Sequence, residues 1–391
     1  MPNQNRNIEP ALRVQGVSEY YFSRMARVTS ALRAEGHDII SLGIGGPDRP
    51  PRASVIEELC RQSRLAGNHS YQPYVGIPEL RSAMADWYKR YFGVKLDPAT
   101  EIQPLIGSKE GILHISLAFL NSGDGVLVPN PGYPTYTSVS HLVGAEIFPY
   151  DLIPERGWQP DFDALERLPL EKIKLMWVNY PNMPTGAKAS RKLFEKLVDF
   201  SRRHNIVVCN DNPYSFVLND EHLSILSVDG AKETCIEMNS LSKSHNMAGW
   251  RVGMLATNSK FVEWVLRVKS NIDSGMFRPM QSAAAEALAA GDDWYAELNG
   301  VYRERRAVAE RIMDALGCTY DRNQVGLFLW GRVPDSVADG AAMADKLLYN
   351  YDIFLTPGFI FGTGGDQYIR ISLCATKERL EQALERIVAK R

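Results

Sequence analysis

Short apolar runs alternate along most of this chain with segments long enough to be helices. Gly125–Pro129, Leu175–Asn179, Ile206–Asp211, Cys235–Ser240 and Trp250–Thr257 read as strands, with Arg191–Arg203 and Phe261–Ser270 among the helix-length segments. That alternation predicts βα units around a mostly parallel sheet. After about Asp292 the pattern changes. A long helix over Trp294–Leu316 is followed by strands around Gly326–Trp330 and Tyr368–Leu373, with helices over Ala341–Tyr351 and Lys377–Ala389. This reads as a smaller α+β unit.

Length and composition fit two domains, since 391 residues exceed one ordinary core. At 45% hydrophobic and 23% charged residues the chain is of the soluble globular class. A formal charge of −2 with interspersed signs leaves no basic field for nucleic acid. Met1–Asn7 is polar and lacks the apolar core of a signal peptide. The most apolar helix candidate, Ser282–Ala290, is interrupted by Glu286 and too short to cross a bilayer. No membrane contact and a cytoplasmic location follow as the default. Cys60, Cys209, Cys235, Cys318 and Cys374 are odd in number and form no CxxC pair, so they read as reduced thiols in cores. The histidines show no metal-ligand spacing, and no metal is expected.

Candidate chemistry centres on Ser240-Leu241-Ser242-Lys243-Ser244-His245-Asn246-Met247-Ala248-Gly249-Trp250-Arg251. A lone lysine is ordinarily a solvated surface charge. One set among small and hydroxyl residues suits a Schiff base, because imine formation needs an amine that is part of the time uncharged. Ser240, Ser242 and Arg251 can offer hydrogen bonds and positive charge to a phosphate. Upstream, the strand Ile206–Asp211 ends on an acid and runs into Asn212-Pro213-Tyr214. Ligands collect at the carboxyl ends of strands in open α/β sheets, which puts Asp211 and Tyr214 where a cofactor would sit. A second apolar strand enters the Pro/Gly-punctuated loop Asn179–Gly186. Near the C-terminus, Arg370 interrupts the alternating strand Tyr368–Leu373, a placement suited to bidentate grip on a carboxylate.

Together these stretches resemble the class I/II aminotransferases, the fold-type I pyridoxal-phosphate (PLP) enzymes, over nearly the whole chain from about Tyr20 to Leu373. The resemblance implies an α/β large domain, residues 48–291, and a small domain from 1–47 and 292–391. It implies PLP on Lys243, Asp211 at the pyridine nitrogen, Tyr214 near the O3′ oxygen, and Ser240, Ser242 and Arg251 at the phosphate, with Ser108 and Lys109 as further candidates there. It also implies Tyr133 stacked on the ring, Gly45 and Arg370 at the substrate carboxylate, and Tyr71 reaching a neighbouring subunit's phosphate. Relatives commonly carry asparagine where this chain has Met183. Either Asn182 shifts to supply that contact or the O3′ relies on Tyr214 alone. For His245 a packing or loop role outweighs a proton shuttle.

The activity implied is transfer of an amino group from an L-amino acid to a 2-oxo acid in ping-pong fashion, with Lys243 as Schiff base and proton shuttle. Lys109 favours an acidic donor: aspartate, glutamate or LL-diaminopimelate. The run Tyr20-Tyr21-Phe22-Ser23 and the pair Ser274-Gly275 are similar to LL-diaminopimelate aminotransferases, in which Tyr20 would touch substrate and Ser274 would reach phosphate across a homodimer. A PLP-dependent carbon–sulfur lyase or synthase would share the same residues. A PLP-sensing transcription regulator would need an appended DNA-binding unit, for which there is no room.

Overall fold

The computed structural model describes residues 8–389; Met1–Asn7 lie outside the described residues. Twelve strands are found among them. They are β1 Ile40–Ser41, β2 Ile102–Leu105, β3 Gly125–Asn130, β4 Glu146–Asp151, β5 Ile173–Val178 and β6 Val207–Asp211, then β7 Cys235–Ser240, β8 Gly253–Ala256, β9 Phe328–Arg332, β10 Ile353–Phe354, β11 Thr356–Pro357 and β12 Tyr368–Ser372.

Seven strands form one sheet in the order β2-β8-β7-β6-β5-β3-β4, in which only β8 runs antiparallel to its neighbours. Helices cover both faces, which is why the strands are continuous apolar runs: every residue of β7 is buried, and every residue of β5 except Lys174. The strand period of two divides β5 between two cores. Met176 and Val178 join Trp87 and Leu197 on one face, while Leu175 and Trp177 join Ile115 and Val265 on the other. Burying a side chain of this size is worth about 1.5–3 kcal/mol each.

The C-terminal part has its own three-stranded antiparallel sheet, β11-β12-β9, and its own core. Its long helix, Asp292–Leu316, packs on helix Lys377–Ala389 and ends at Gly317. A positive φ of 72° closes that end, a conformation glycine adopts without a Cβ clash. The N-terminal segment returns to this part, because β1 pairs in parallel with β10, Ile40 opposite Ile353.

Two expectations change, for the strand after Trp250 and for Cys60. The strand expected over Trp250–Thr257 begins only at Gly253: Ala248–Trp250 is a 3-10 turn and Arg251 has a φ of 56°, which cannot continue a ladder. The helix behind Ile106–Gly107 starts at Ser108, because Gly107 with φ 79° turns the chain directly into it. Cys60 is exposed on helix Ala53–Ser63, whereas the other four thiols are buried. Helices Tyr21–Ala34 and Pro78–Phe92 also emerge, their apolar faces packed into the cores. No described helix is long and apolar enough to cross a membrane.

Candidate active site

The carboxyl ends of β6 and β7, with the loop after β5, open onto a cavity of about 340 Å3. An open α/β sheet leaves its crevice at this edge. Tyr20, Gly45, Ser108, Lys109, Tyr133 and Asp211 line the cavity, as do Tyr214, Ser240, Ser242, Lys243, Arg251 and Arg370.

Lys243 lies on the short helix Leu241–Ser244, which starts where β7 ends. Ser240 Oγ caps it by accepting from Ser242 N at 3.2 Å. The lysine Nζ donates to the Gly45 carbonyl. Loss of bulk water lowers its pKa; Cys374 opposes that shift, and the nearby positive charges of Arg370 and Arg251 add to it.

Asp211 closes β6 and is 4% exposed. Tyr136 Oη donates to its Oδ2 at 3.0 Å, whereas Oδ1 is buried without a partner. Burial pushes this carboxyl up to about 6, against the lowering effect of the Tyr136 bond. An unsatisfied buried acceptor costs about 1–3 kcal/mol, so the site is built for an incoming N–H. Tyr136 is itself held by stacking on Trp177, with ring centroids 5.1 Å apart.

Cationic donors gather at the other end. Ser240 Oγ donates to Ser242 Oγ at 2.9 Å, and Arg251 Nη1 donates to Ala248 O at 2.8 Å and to Ser242 Oγ at 3.4 Å. The first N–H groups of helix Ser108–Phe119 face the same space. A Cβ on Gly107 would lie 2.1 Å from Arg251 Nη2, so only glycine lets the loop approach this closely. Lys109 Nζ stands 4.3 Å from the Tyr20 ring centroid; burial and then Arg251 lower its pKa.

Arg370 defines the third corner. Its guanidinium is sandwiched 3.8 Å from the Phe328 ring centroid and 4.7 Å from that of Phe361. Nη2 donates to Gly43 O at 3.0 Å, Nη1 meets Met183 Sδ at 3.2 Å, and Nε is buried without a partner. Burial lowers its pKa to about 10. Because a thioether is a weak acceptor, this cation keeps donors free for an anion.

Three expected residues stand off the cavity. Asn182 is buried in its own loop, its Nδ2 donating to Asn179 O at 3.1 Å and its Oδ1 accepting from Thr185 Oγ1 at 2.7 Å. Met183 and Asn179 line the cavity instead. Tyr71 is 89% exposed and Ser274 is exposed, but the two loops abut, since a Cβ on Gly275 would lie 2.5 Å from Gln72 O. His245 is buried behind Lys243, with Ser244 Oγ at 2.9 Å and Tyr295 Oη at 3.2 Å.

Sequence reasoning missed Asn179 and Tyr136. Asn179 follows β5 directly, much as Asp211 ends β6, and its amide donates to the Asp211 carbonyl. Tyr136 sits three residues after Tyr133, one helical turn on.

The unpartnered Asp211 Oδ1, the phosphate-sized donor cluster and the lysine between them fit PLP. Fold and cavity therefore define a fold-type I PLP enzyme. The profile of the family described as "Aminotransferase class I and II" matches residues 37–387, and the chain belongs to that family. Among curated relatives it is 43% identical to an LL-diaminopimelate aminotransferase of Nitratidesulfovibrio vulgaris, covering 96% of this chain and 97% of the relative. It is 42% identical to one from Dehalococcoides mccartyi over the same shares. Among solved structures, substrate-bound BacF from Bacillus subtilis superposes with a TM-score of 0.93 at 33% identity over 98% of each chain. A Thermus thermophilus aspartate aminotransferase superposes with a TM-score of 0.91 at 27% identity, over 98% of this chain and 100% of that one. The protein is a PLP-dependent aminotransferase acting on small-molecule amino and 2-oxo acids.

Proposed function

We propose that this aminotransferase takes an acidic amino donor, with LL-diaminopimelate, aspartate and glutamate as the first candidates. The observation that carries the reading is Lys109, whose ammonium lies in the cavity over the Tyr20 ring, where it can meet a second anionic group of the substrate. The curated relatives, which are LL-diaminopimelate aminotransferases, support it.

When bound, PLP supplies an aldehyde that takes up the amine and a ring that accepts electrons. Lys243 Nζ would hold the aldehyde and, once freed by the incoming amine, would carry the proton from the substrate's Cα to the former aldehyde carbon. Its lowered pKa keeps a larger share of the amine unprotonated for that role. Asp211 Oδ1, buried without a partner, would accept from the pyridine N–H and keep the ring cationic. Tyr133, Asn179 and Tyr214 line the same cavity and would surround the ring. Arg370 clamps the α-carboxylate and so fixes which Cα bond faces Lys243. Ser108, Ser240, Ser242 and Arg251, with the backbone N–H of Lys109, would hold the phosphate.

We assign the large domain to 48–291 and the small domain to 1–47 and 292–391, in line with the β1–β10 pairing. A homodimer is part of the same reading. Tyr71, Tyr74, Ile272 and Phe277 are exposed apolar groups around Ser274, a face suited to a second copy that would receive Tyr71 and Ser274 at its phosphate. A cytoplasmic location suits the unpaired thiols.

Amino donors paired with 2-oxoglutarate or pyruvate test the donor. Turnover confined to neutral apolar amino acids would reject an acidic donor. Lys109→Gln should lower kcat/KM for acidic donors about 10- to 100-fold, the worth of one charged hydrogen bond, and spare alanine. Lys243→Ala should abolish the bound cofactor's visible absorbance and multiple turnover; persistence of either would remove Lys243 from its role.

A further inference from the structure

Behind the phosphate end lies a buried lysine that none of this chemistry uses. Lys269, the last residue of helix Ser259–Lys269, is 1% exposed. Its Nζ lies 2.9 Å from Glu110 Oε1 and 2.5 Å from Asp273 Oδ2. Each carboxylate uses its other oxygen to pin a loop. Glu110 Oε2 accepts from Ile106 N at 2.6 Å, closing the turn that delivers Ser108 and Lys109 to the cavity. Asp273 Oδ1 accepts from Gly275 N at 2.9 Å, fixing the turn at Ser274.

His114 completes the cluster, its Nε2 2.6 Å from Glu110 Oε1 and its Nδ1 buried without a partner. Glu110, His114 and Asp273 also have metal-ligand spacing, but the Lys269 ammonium already occupies the place of a cation between the two carboxylates. A leucine at 269 would pack without the desolvation cost of a buried ammonium, so the cluster is understood by what the charge holds in register.

We propose that Lys269 is a positioning residue for PLP binding: through Glu110 and Asp273 it holds the Ser108–Lys109 helix start and the Ser274 loop in fixed relation. The proposal rests on reading Ser108 and Ser274 as phosphate-site residues. Without the clamp the two loops drift independently, and donors displaced by about 1 Å lose affinity on the order of 10- to 100-fold.

The experiment prepares apoenzyme of Lys269→Met, Lys269→Arg, Asp273→Ala, Ser108→Ala and Ser274→Ala. It measures PLP dissociation constants by visible absorbance titration well below each variant's melting temperature. Lys269→Met and Asp273→Ala should bind PLP at least about ten-fold more weakly, with Lys269→Arg recovering most of the loss. Asp273→Ala keeps the Lys269–Glu110 pair, so it decides the matter if Lys269→Met does not fold. A lower melting temperature with unchanged PLP affinity overturns the proposal and leaves the cluster a support of the fold. If Ser108→Ala and Ser274→Ala also bind PLP normally, the phosphate-site reading falls with it. If those two are weakened while Lys269→Met and Asp273→Ala are not, the clamp alone is wrong.

Discussion

Arg370 carries the sharpest residue-scale prediction. Its planar fork fits between Phe328 and Phe361 with Nε unpartnered. Arg370→Lys keeps the charge but loses the fork, and kcat/KM should fall about 10- to 100-fold, the worth of one or two charged hydrogen bonds, mainly through KM. Steady-state kinetics against two donors check this. Asp211→Asn should lower kcat by about 10²–10³-fold with little change in KM, because its charge acts where electrons move into the ring. An effect confined to KM would make Asp211 a turn residue. Asp211 and Arg370 were legible because each sets a charge at or in an apolar strand, and Lys243 because it sits among small and hydroxyl residues. Asn179 was not, since an asparagine after a strand is ordinary turn chemistry until the fold sets it beside Asp211.

At the scale of elements, the loop-to-helix joint at Gly107 holds the phosphate end. Gly107→Ala meets both a φ of 79° and the Arg251 guanidinium, so the variant should fold yet bind PLP about ten-fold or more weakly by absorbance titration. Strand β7 offers a test by pH. Glu237 is fully buried, accepts from Asn210 Nδ2 and Ile225 N at 3.0 Å each, and is pushed by burial from 4.5 to about 7. A carboxyl raised on folding gives stability that is full below pH 4.5 and lost as pH rises through about 7. Glu237→Gln apoenzyme should therefore gain in melting temperature relative to wild type as pH rises across that window; a difference independent of pH would contradict a raised carboxyl.

On the scale of the whole molecule, each pocket needs a second copy if Tyr71 and Ser274 serve the neighbour. Lys243→Ala and Tyr71→Ala, each inactive alone, should regain activity when their subunits exchange, up to about a quarter of wild type for equal amounts, since half the dimers are mixed and each has one intact pocket. Sedimentation must show the exchange, and no recovery after it would leave each chain with a complete site of its own.

The sequence by itself determined five of the seven strands of the large sheet and marked Asp211 at its edge as a candidate, because a strand buried on both faces must be an unbroken apolar run and any charge ending it stands out. It also marked glycine and hydroxyl residues as anion ligands before any contact was known. Only the tertiary structure decided which of the two neighbours, Asn182 or Met183, faces the cavity, since a loop side chain's direction depends on the partners that satisfy it. The same is true of Lys269, Glu110 and Asp273. Glu110 comes from a stretch 159 residues away from Lys269, and its charge joins the i,i+4 pair Lys269–Asp273 only when helix packing excludes water from between them.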